Sequence, residues 1–227
     1  MKRGKEPRFP GPRPHDPMAA IILSALALIS GALAIRSDQK GPRRLFFLFK
    51  PLTMALIIVT GAFARTPVPE TYKIFILAGL LCSLAGDVAL MFPDRWFKAG
   101  LVSFLAAHVF YILAFKPWPG RPVSAGILLP FMIFGLLMFR TLAPSLGALK
   151  FPVLVYIAAI TVMAWLAASR FIYAGGTRPL FAFAGAVLFL VSDSVLAYDR
   201  FAKKIGPAQI IILGTYFPAQ LLIALSI

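Results

Sequence analysis

Two aspartates inside otherwise apolar stretches are the residues of this chain best suited to chemistry. Asp87 lies in the segment GDVALMFPDRWF at residues 86–97, and Asp193 lies in the segment SDSVLAYDRF at residues 192–201. With two single-residue gaps, both segments follow the pattern small-Asp-x-x-Leu-small/Met-aromatic-Asp-Arg-Phe. A carboxylate within a membrane costs several kcal/mol unless it is paired, hydrated or protonated. Both aspartates are therefore candidates for a functional site, and paired carboxylates can divide acid and charge-stabilising roles between them.

A second polar residue follows each aspartate at similar spacing. His108 lies 21 residues after Asp87, and Tyr216 lies 23 residues after Asp193. The two aspartates are four apolar stretches apart, and four crossings restore the direction of the chain. The pattern therefore predicts parallel repeats related by an axis along the membrane normal. At about 1.5 Å per helical residue, all four side chains fall in the same half of the membrane.

Three further polar side chains are predicted to face this region. Lys50 lies early in the second apolar stretch and enters from the same membrane face. Tyr111 follows His108, and Gln220 follows Tyr216, at spacings that share one face of a helix. Polar groups on a single face of a membrane helix usually point into the bundle. Together with His108 and Tyr216, these three residues complete the candidate site around the two aspartates.

Composition requires a non-aqueous environment for most of the chain. Of its 227 residues, 60% are hydrophobic and 14% are charged, whereas soluble domains carry roughly 25% charged residues. Eight apolar stretches are each near the ~20 residues that cross a bilayer, and their short connections leave no room for a soluble domain. We expect an all-α, polytopic membrane bundle of about eight transmembrane helices. The stretches are 18–35, 45–63, 73–92, 99–115, 123–139, 152–169, 179–198 and 207–225.

The expected organisation is a short tail followed by one membrane domain. Residues 1–17 are basic, Pro-rich and too poor in apolar residues to fold alone, so we expect disorder. Residues 18–227 would form a single transmembrane domain, with 18–115 and 123–226 as the repeats. A cleavable signal peptide ending near 32–34 is an alternative, although cleavage would remove one helix of a four-plus-four pattern.

The net charge of +15 indicates contact with lipid and not with nucleic acid. The 23 Lys and Arg residues are spread over every connection, where basic side chains meet anionic lipid head groups. They divide almost evenly between the two membrane faces, so the positive-inside rule predicts no orientation. An even number of helices places both termini on one side. The single cysteine, Cys82, excludes an intramolecular disulfide.

Each candidate residue also has a purely structural interpretation. Asp87 and Asp193 would hold helices together through salt bridges or hydrogen bonds, with Lys50 as a partner for one of them. His108 would make an interhelical hydrogen bond. A zinc site built from His108 and both aspartates is a further alternative, although no second histidine stands at ligand spacing. Packing or interhelical bonding likewise remains open for Tyr111, Tyr216 and Gln220.

Other charged residues and motifs carry less information. Asp94 and Asp199 each precede an arginine at a membrane interface and are expected to form local caps and ion pairs. The sequence contains no Gly-x-Ser-x-Gly nucleophile elbow and no glycine-rich phosphate loop, which disfavours a serine hydrolase and a nucleotide-binding protein. We expect neither a metal nor a cofactor.

Several motifs, taken in order, resemble the YhhN-like membrane family. They are KPLTM at 50–54, GDVALM at 86–91, AHVFY at 107–111, the segment 185–197, and YFPAQ at 216–220. Each motif is short, but the ordered set is specific and extends over nearly the whole chain beyond the tail. The family's characterised animal members are lysoplasmalogenases, and bacterial relatives are similar in sequence.

The resemblance implies hydrolysis of the vinyl ether bond of a lysoplasmalogen to a fatty aldehyde and glycerophosphoethanolamine or glycerophosphocholine. Vinyl ethers hydrolyse by slow proton transfer to the β-carbon, which gives an oxocarbenium ion that water captures. Burial, or a second carboxylate nearby, favours the protonated form of a carboxylic acid. One of Asp87 and Asp193 would then be the general acid, and the other would stabilise the cation or act as a base. The sequence leaves the order open.

The remaining candidates would act around this pair of carboxylates. His108 would position water or tune a carboxylate, and Lys50 would bind the substrate phosphate. Apolar helix surfaces would hold the alkenyl chain. The expected partners are a lysophospholipid substrate and membrane lipids. The glycerol and the vinyl ether oxygen would be oriented by Tyr111, Tyr216 and Gln220.

Two other functions fit the same residues. A proton-coupled transporter or lipid flippase would use the intramembrane aspartates for coupling, and a non-catalytic membrane interaction protein would use them for assembly. The Ala-, Arg- and Pro-rich composition suggests a bacterial inner (plasma) membrane protein. Many bacteria make no plasmalogens, so another lysolipid or ether-linked compound remains an alternative substrate. The oligomeric state stays open.

Overall fold

The computed structural model describes residues 17–64, 68–116 and 125–227. Within these residues the chain forms eight α-helices and two short 3₁₀ turns, without a β-strand. The expectation of an all-α fold with about eight membrane helices is confirmed, since all eight are long and apolar enough to cross a bilayer. The helices are α1 (Pro17–Lys40), α2 (Arg43–Phe63), α3 (Glu70–Leu90), α4 (Pro93–Phe115), α5 (Ala125–Leu142), α6 (Lys150–Ala174), α7 (Thr177–Phe201) and α8 (Ala208–Leu225).

Most helices extend beyond the apolar stretches that predicted them. Helix α1 continues to Lys40, through residues that the sequence suggested were a connection. Helix α4 begins at Pro93, six residues before the predicted start, with the proline in its first turn. Proline suits that position because its fixed φ fits the helix and its missing N–H has no partner there. Hydropathy therefore marks the hydrocarbon-crossing part of each helix, while charged residues continue the helix into the head-group region.

Six helices form a ring, and two lie outside it. The most extensive contacts join α3 to α4 and α7 to α8, which are consecutive helices linked by short turns. Helix α2 joins the two pairs by packing on α3 and α8, and α6 joins them on the other side by packing on α4 and α7. Helix α1 packs outside α2 and α8, and α5 packs mainly on α6. The ring encloses the polar residues, so it is the part that positions the site.

Small residues allow the ring helices to approach closely. A Cβ atom added at Gly79 of α3 would lie 2.3 Å from the Tyr111 ring of α4. One added at Gly185 of α7 would lie 2.7 Å from the Ala219 carbonyl of α8. Such close approach is typical of membrane helices, whose association relies on packing and interhelical hydrogen bonds. These contacts hold together the two helices within each hairpin, α3 with α4 and α7 with α8.

The distribution of side chains matches a bundle surrounded by lipid. Large apolar side chains such as Leu136 and Phe151 are exposed on the outside, whereas Lys50, Asp87 and Asp193 are buried inside. The chain direction alternates from one helix to the next, so the C-terminal ends of α3 and α7 share a face with the N-terminal ends of α2, α4 and α8. The predicted disorder of the tail concerns residues 1–17, of which 1–16 lie outside the described part of the chain and Pro17 begins α1. The division into two repeats stays a prediction.

Candidate active site

A polar cavity of about 200 Å³ opens between α2, α3, α4, α7 and α8 on this shared face. Both motif aspartates line it, although they are 106 residues apart in the chain. The convergence of the two acidic segments, which the sequence could only suggest, is therefore present in the fold. Five polar side chains line the buried part of the cavity, namely Lys50, Asp87, Ser192, Asp193 and Tyr216.

Asp87 has a partner on each of its carboxylate oxygens. The Lys50 ammonium of α2 lies 3.2 Å from Oδ1, and both side chains are almost fully buried. The Tyr216 hydroxyl of α8 donates a 2.5 Å hydrogen bond to Oδ2. Lys50, for which the sequence suggested a phosphate-binding role, thus lies against a carboxylate. The arrangement suits an ionised Asp87, because a cation and a hydroxyl donor both stabilise negative charge.

Asp193 has different partners. The Tyr156 hydroxyl of α6 donates a hydrogen bond to its Oδ2 atom, and the same oxygen lies 3.6 Å from Nε2 of His108 on α4. Within the described residues, no Lys or Arg lies at ion-pair distance from Asp193. The two carboxylates of the site therefore lie in unlike environments, one beside an ammonium and the other beside a phenol and an imidazole.

His108 is fully buried, and neither of its ring nitrogens has a hydrogen-bond partner among the described residues. Its ring packs 4.7 Å from the Phe189 ring and 5.0 Å from the Tyr156 ring, measured between centroids. A buried imidazole without partners normally binds an ordered water or a ligand. The interhelical hydrogen bond, which was the structural alternative for His108, is not formed with any described residue.

Tyr111 and Gln220 lie one layer behind the cavity wall. The Tyr111 hydroxyl donates a 2.7 Å hydrogen bond to Oε1 of Gln220. The Gln220 amide nitrogen donates in turn to the Ser83 hydroxyl at 3.2 Å. These contacts join α3, α4 and α8 immediately beside Asp87. Neither residue lines the cavity, so their contacts suit positioning of the wall more directly than contact with a substrate.

Tyr156 is the site residue that the sequence reasoning missed. A tyrosine in an apolar stretch resembles an ordinary packing residue, and it lies in none of the motifs. One signal was available: Tyr156 follows Lys50 by 106 residues, which is the separation of Asp193 from Asp87. Each aspartate has one partner on the preceding ring helix, 37 residues earlier in the chain. Its other partner comes from the opposite half of the chain, namely Tyr216 for Asp87 and His108 for Asp193.

An apolar cavity of about 50 Å³ adjoins the polar one between α4, α6 and α7, with α5 on its outer side. Asp193 lines both cavities, whereas Asp87 lines only the polar one. Apart from Ser194, the other walls of the smaller cavity are aliphatic and aromatic, and include Leu101, Met138, Ile157 and Ile160. Asp193 therefore lies where a polar chamber meets an apolar one.

Charged residues surround the mouth of the polar cavity. Asp199 accepts a 2.9 Å bond from Lys204 and a 2.8 Å bond from the backbone N–H of Ile205. The prediction that Asp199 forms a local ion pair is confirmed, with Lys204 as the partner in place of the neighbouring Arg200. The side chain of Asp94, for which the same was predicted, lies outside the description. Within the described residues, no group of three or more His, Cys, Asp and Glu side chains is placed to hold a metal ion.

The site can supply a proton donor, an anion and a place for water. Asp193 has one oxygen, Oδ1, that is not engaged by Tyr156 or His108. Asp87 beside Lys50 can stabilise a developing cation across the cavity. The ring nitrogens of His108 have no hydrogen-bond partner among the described residues and can bind water. This combination fits an acid-catalysed addition of water to an electron-rich bond within the membrane.

Comparison with known proteins identifies relatives over most of the chain. A model of the YhhN family matches residues 45–227. The human protein lysoplasmalogenase TMEM86B is 35% identical over 159 residues, which cover 68% of this chain and 64% of the relative. Bovine lysoplasmalogenase TMEM86A is 36% identical over 163 residues, with 70% and 66% covered. The membrane protein YhhN of Shigella flexneri is 25% identical over 199 residues, with 88% and 95% covered.

The extent of these matches differs between the two groups of relatives. The chain spans just under two thirds of the length of the pig TMEM86B and bovine TMEM86A proteins, at 64% and 66%. It spans almost the whole length of the bacterial relative. No solved structure matches the chain significantly. The eight candidate spans and the membrane-protein relatives together establish an integral membrane protein.

Proposed function

This chain belongs to the YhhN family, and on that premise we propose that it hydrolyses the vinyl ether bond of a lysoplasmalogen-type lysolipid. The observation that carries the proposal is that Asp193 lines both a polar and an apolar cavity. A lysolipid has the same division, with a polar glycerophosphate on one side of the vinyl ether and a hydrocarbon chain on the other. The names of the mammalian relatives support this substrate class.

The reaction adds one molecule of water across the vinyl ether and then breaks a C–O bond. A proton moves from the enzyme acid to the β-carbon, and the electron pair of the double bond forms the new C–H bond. The α-carbon and its ether oxygen then share the positive charge of an oxocarbenium ion. Water adds to the α-carbon and returns a proton to the enzyme's carboxylate, which restores the acid and gives a hemiacetal. Collapse of the hemiacetal releases a fatty aldehyde and the glycerophospho-alcohol.

We assign Asp193 as the general acid. Its position at the junction of the cavities would place it beside the vinyl ether when the chain occupies the apolar side. Tyr156 donates to Oδ2, which leaves Oδ1 as the oxygen that presents the proton. Tyr156 is then a positioning residue, because a fixed carboxyl group spends more time in a productive orientation.

We assign Asp87 as the charge stabiliser. Lys50 and Tyr216 occupy both of its oxygens, an arrangement that suits an anion held in place and not an acid that must deliver a proton. The anion would stabilise the oxocarbenium ion electrostatically, as the second carboxylate does in glycosidases. In this account Lys50 serves as the counter-ion of Asp87.

The other predicted residues take supporting roles. His108 would hold the attacking water through its unpartnered ring nitrogens. Tyr216, which lines the cavity, would contact the ether oxygen or glycerol. Tyr111 and Gln220 would keep α4 and α8 in register beside Asp87. We also propose that the halves 18–115 and 123–226 are parallel repeats, since each aspartate has one partner from its own half and one from the other.

The proposal is tested by aldehyde release from a lysoplasmalogen by detergent-purified protein. Asp87→Asn and Asp193→Asn should each abolish release while the protein still folds and extracts normally. Asp38→Asn is the matched control, because Asp38 is an exposed carboxylate at the end of α1. Full activity in both site variants would overturn the mechanism. No release from folded wild-type protein, together with Asp87-dependent solute movement in proteoliposomes, would favour the transporter alternative.

We place the protein in a bacterial inner membrane. The support is the match to the bacterial membrane protein over 95% of that relative's length, together with the composition described above. Fractionation of the host cell, with antibody detection of the protein, tests this location. Recovery with the outer membrane would contradict it.

A further inference from the structure

The rim of the polar cavity is the part of the molecule whose charges the proposed mechanism does not use. It holds Arg200 and Lys204 from the end of α7 and the turn that follows, with Gln209 of α8 beside them. Both basic side chains line the same cavity as the two catalytic aspartates. Lys50, the other basic residue of the cavity, is buried against Asp87. Asp199 also lines the cavity and pairs with Lys204. The two rim cations therefore outnumber the one rim carboxylate, which leaves a net positive charge at the mouth for an anion.

The two basic side chains of the rim are held in place by neighbours. Asp199 binds the Lys204 ammonium at 2.9 Å and the Ile205 N–H at 2.8 Å, which fixes the turn after α7. The Arg200 guanidinium lies 4.8 Å from the centroid of the Phe97 ring, in a cation–π contact. Such contacts lower the conformational entropy that each long side chain loses when it binds an anion.

The distance from the acid to the rim agrees with the length of a lysolipid head. Seven residues separate Asp193 from Arg200, a rise of about 10 Å along α7. Five covalent bonds connect the vinyl ether oxygen to the phosphorus atom, and they span most of this distance. Side chains of a helix lean toward its N-terminus. The Arg200 side chain therefore leans back toward Asp193 and can cover the remaining distance to the phosphate.

We infer that Arg200 and Lys204 form the binding site for the phosphate of a glycerophospholipid substrate. This inference rests on the proposed function and adds the head-group class that the site selects. The planar guanidinium of Arg200 can bind two phosphate oxygens at once, and Lys204 supplies a second positive charge. The phosphodiester is thereby held at the water-facing mouth while the vinyl ether reaches Asp193 and the chain enters the apolar cavity.

The inference is tested with two substrates that differ only in the phosphate. One is a lysoplasmalogen, and the other is a 1-O-alkenylglycerol without a phosphate group. For the double variant Arg200→Gln/Lys204→Gln, KM for the lysoplasmalogen should rise about tenfold with kcat unchanged. KM for the alkenylglycerol should not change. Lys203→Gln is the matched control, since Lys203 is exposed in the same turn and does not line the cavity.

Further measurements separate this inference from the alternatives. Thermal unfolding checks that each variant is folded, and Arg200→Lys, which keeps the charge, should retain most of the affinity for the lysoplasmalogen. Glycerophosphoethanolamine should inhibit hydrolysis of the alkenylglycerol by the wild type, and the double variant should resist this inhibition. An equal KM change for both substrates would overturn the inference. Inhibition by inorganic phosphate at the same concentration would overturn the head-group assignment in favour of a free-phosphate site.

The two proposals fail in different ways. If the wild type hydrolyses neither substrate, the proposed function is wrong, and the inference that rests on it falls with it. If the wild type hydrolyses both substrates and the double variant changes KM equally for each of them, the proposed vinyl ether hydrolysis stands and the phosphate site is wrong.

Discussion

The ion pair between Lys50 and Asp87 gives the sharpest quantitative prediction, because stability and activity should respond differently to its removal. The two side chains are 5% and 3% exposed, with 3.2 Å between the ammonium and the carboxylate. Removing one partner of a buried pair leaves an unpaired charge and costs about 3–5 kcal/mol. For a protein of this size, Lys50→Met should then lower Tm by roughly 6–20 °C.

The double variant Lys50→Met/Asp87→Asn separates the two roles of the pair. It removes both charges, so no unpaired ion remains and Tm should return close to the wild-type value. This double variant should nevertheless release no aldehyde, because the anion that stabilises the oxocarbenium ion is missing. The assay combines thermal unfolding in detergent micelles with aldehyde release from the same samples. A wild-type Tm for the Lys50→Met variant would refute the ion pair, and an active double variant would refute the role of Asp87.

Three further substitutions test neighbouring parts of the account. Tyr156→Phe removes the hydroxyl that orients the acid, so kcat should fall about tenfold with KM unchanged in steady-state assays; an unchanged kcat would contradict the positioning role. His108→Phe keeps the ring packing but cannot hold water, so the folded variant should lose at least about 100-fold in rate; a wild-type rate would make His108 structural. Gly79→Ala places a Cβ 2.3 Å from the Tyr111 ring and should cost about 1–3 kcal/mol. Gly214→Ala, with no atom within 4 Å of the added Cβ, is its control and should not lower Tm.

The helices could be predicted from sequence because crossing hydrocarbon demands a long apolar run. The ends of the helices could not be predicted in this way, because a helix can continue through charged residues into the membrane interface, where the hydropathy is low. Helix α1 therefore runs to Lys40, although its apolar run ends near Ile35. The packing of α6 between α4 and α7, which completes the ring, likewise depends on lateral contacts that no local pattern records.

The site could be predicted in part for the same kind of reason. Asp87 and Asp193 were identifiable because a carboxylate in an apolar helix is costly wherever the helix lies. The partners of each aspartate could not be predicted from sequence, because they come from other helices. Tyr216, for example, binds Asp87, which lies in the opposite half of the chain. Tyr156 was missed because a tyrosine within an apolar stretch, unlike a carboxylate, has no large energetic cost that would mark it as a functional residue.

The sequence also does not show which candidate residues line the cavity and which lie behind its wall. Tyr111 follows His108 by three residues and Gln220 follows Tyr216 by four, spacings that both share one helix face, yet the two residues bind each other behind the wall. From the sequence, Lys50 fits two roles, as a partner for an aspartate and as a phosphate ligand. Its contact with Asp87 favours the first of these two interpretations.

In the proposed mechanism, Asp193 transfers a proton to the β-carbon of the vinyl ether. The most direct test is hydrolysis of a lysoplasmalogen in D₂O, with the aldehyde reduced at once to its alcohol and analysed by mass spectrometry. The account predicts one deuterium on the carbon next to the former carbonyl for the wild type, and no product from folded Asp193→Asn. An aldehyde without that deuterium, or wild-type product formation by Asp193→Asn, would contradict the claim.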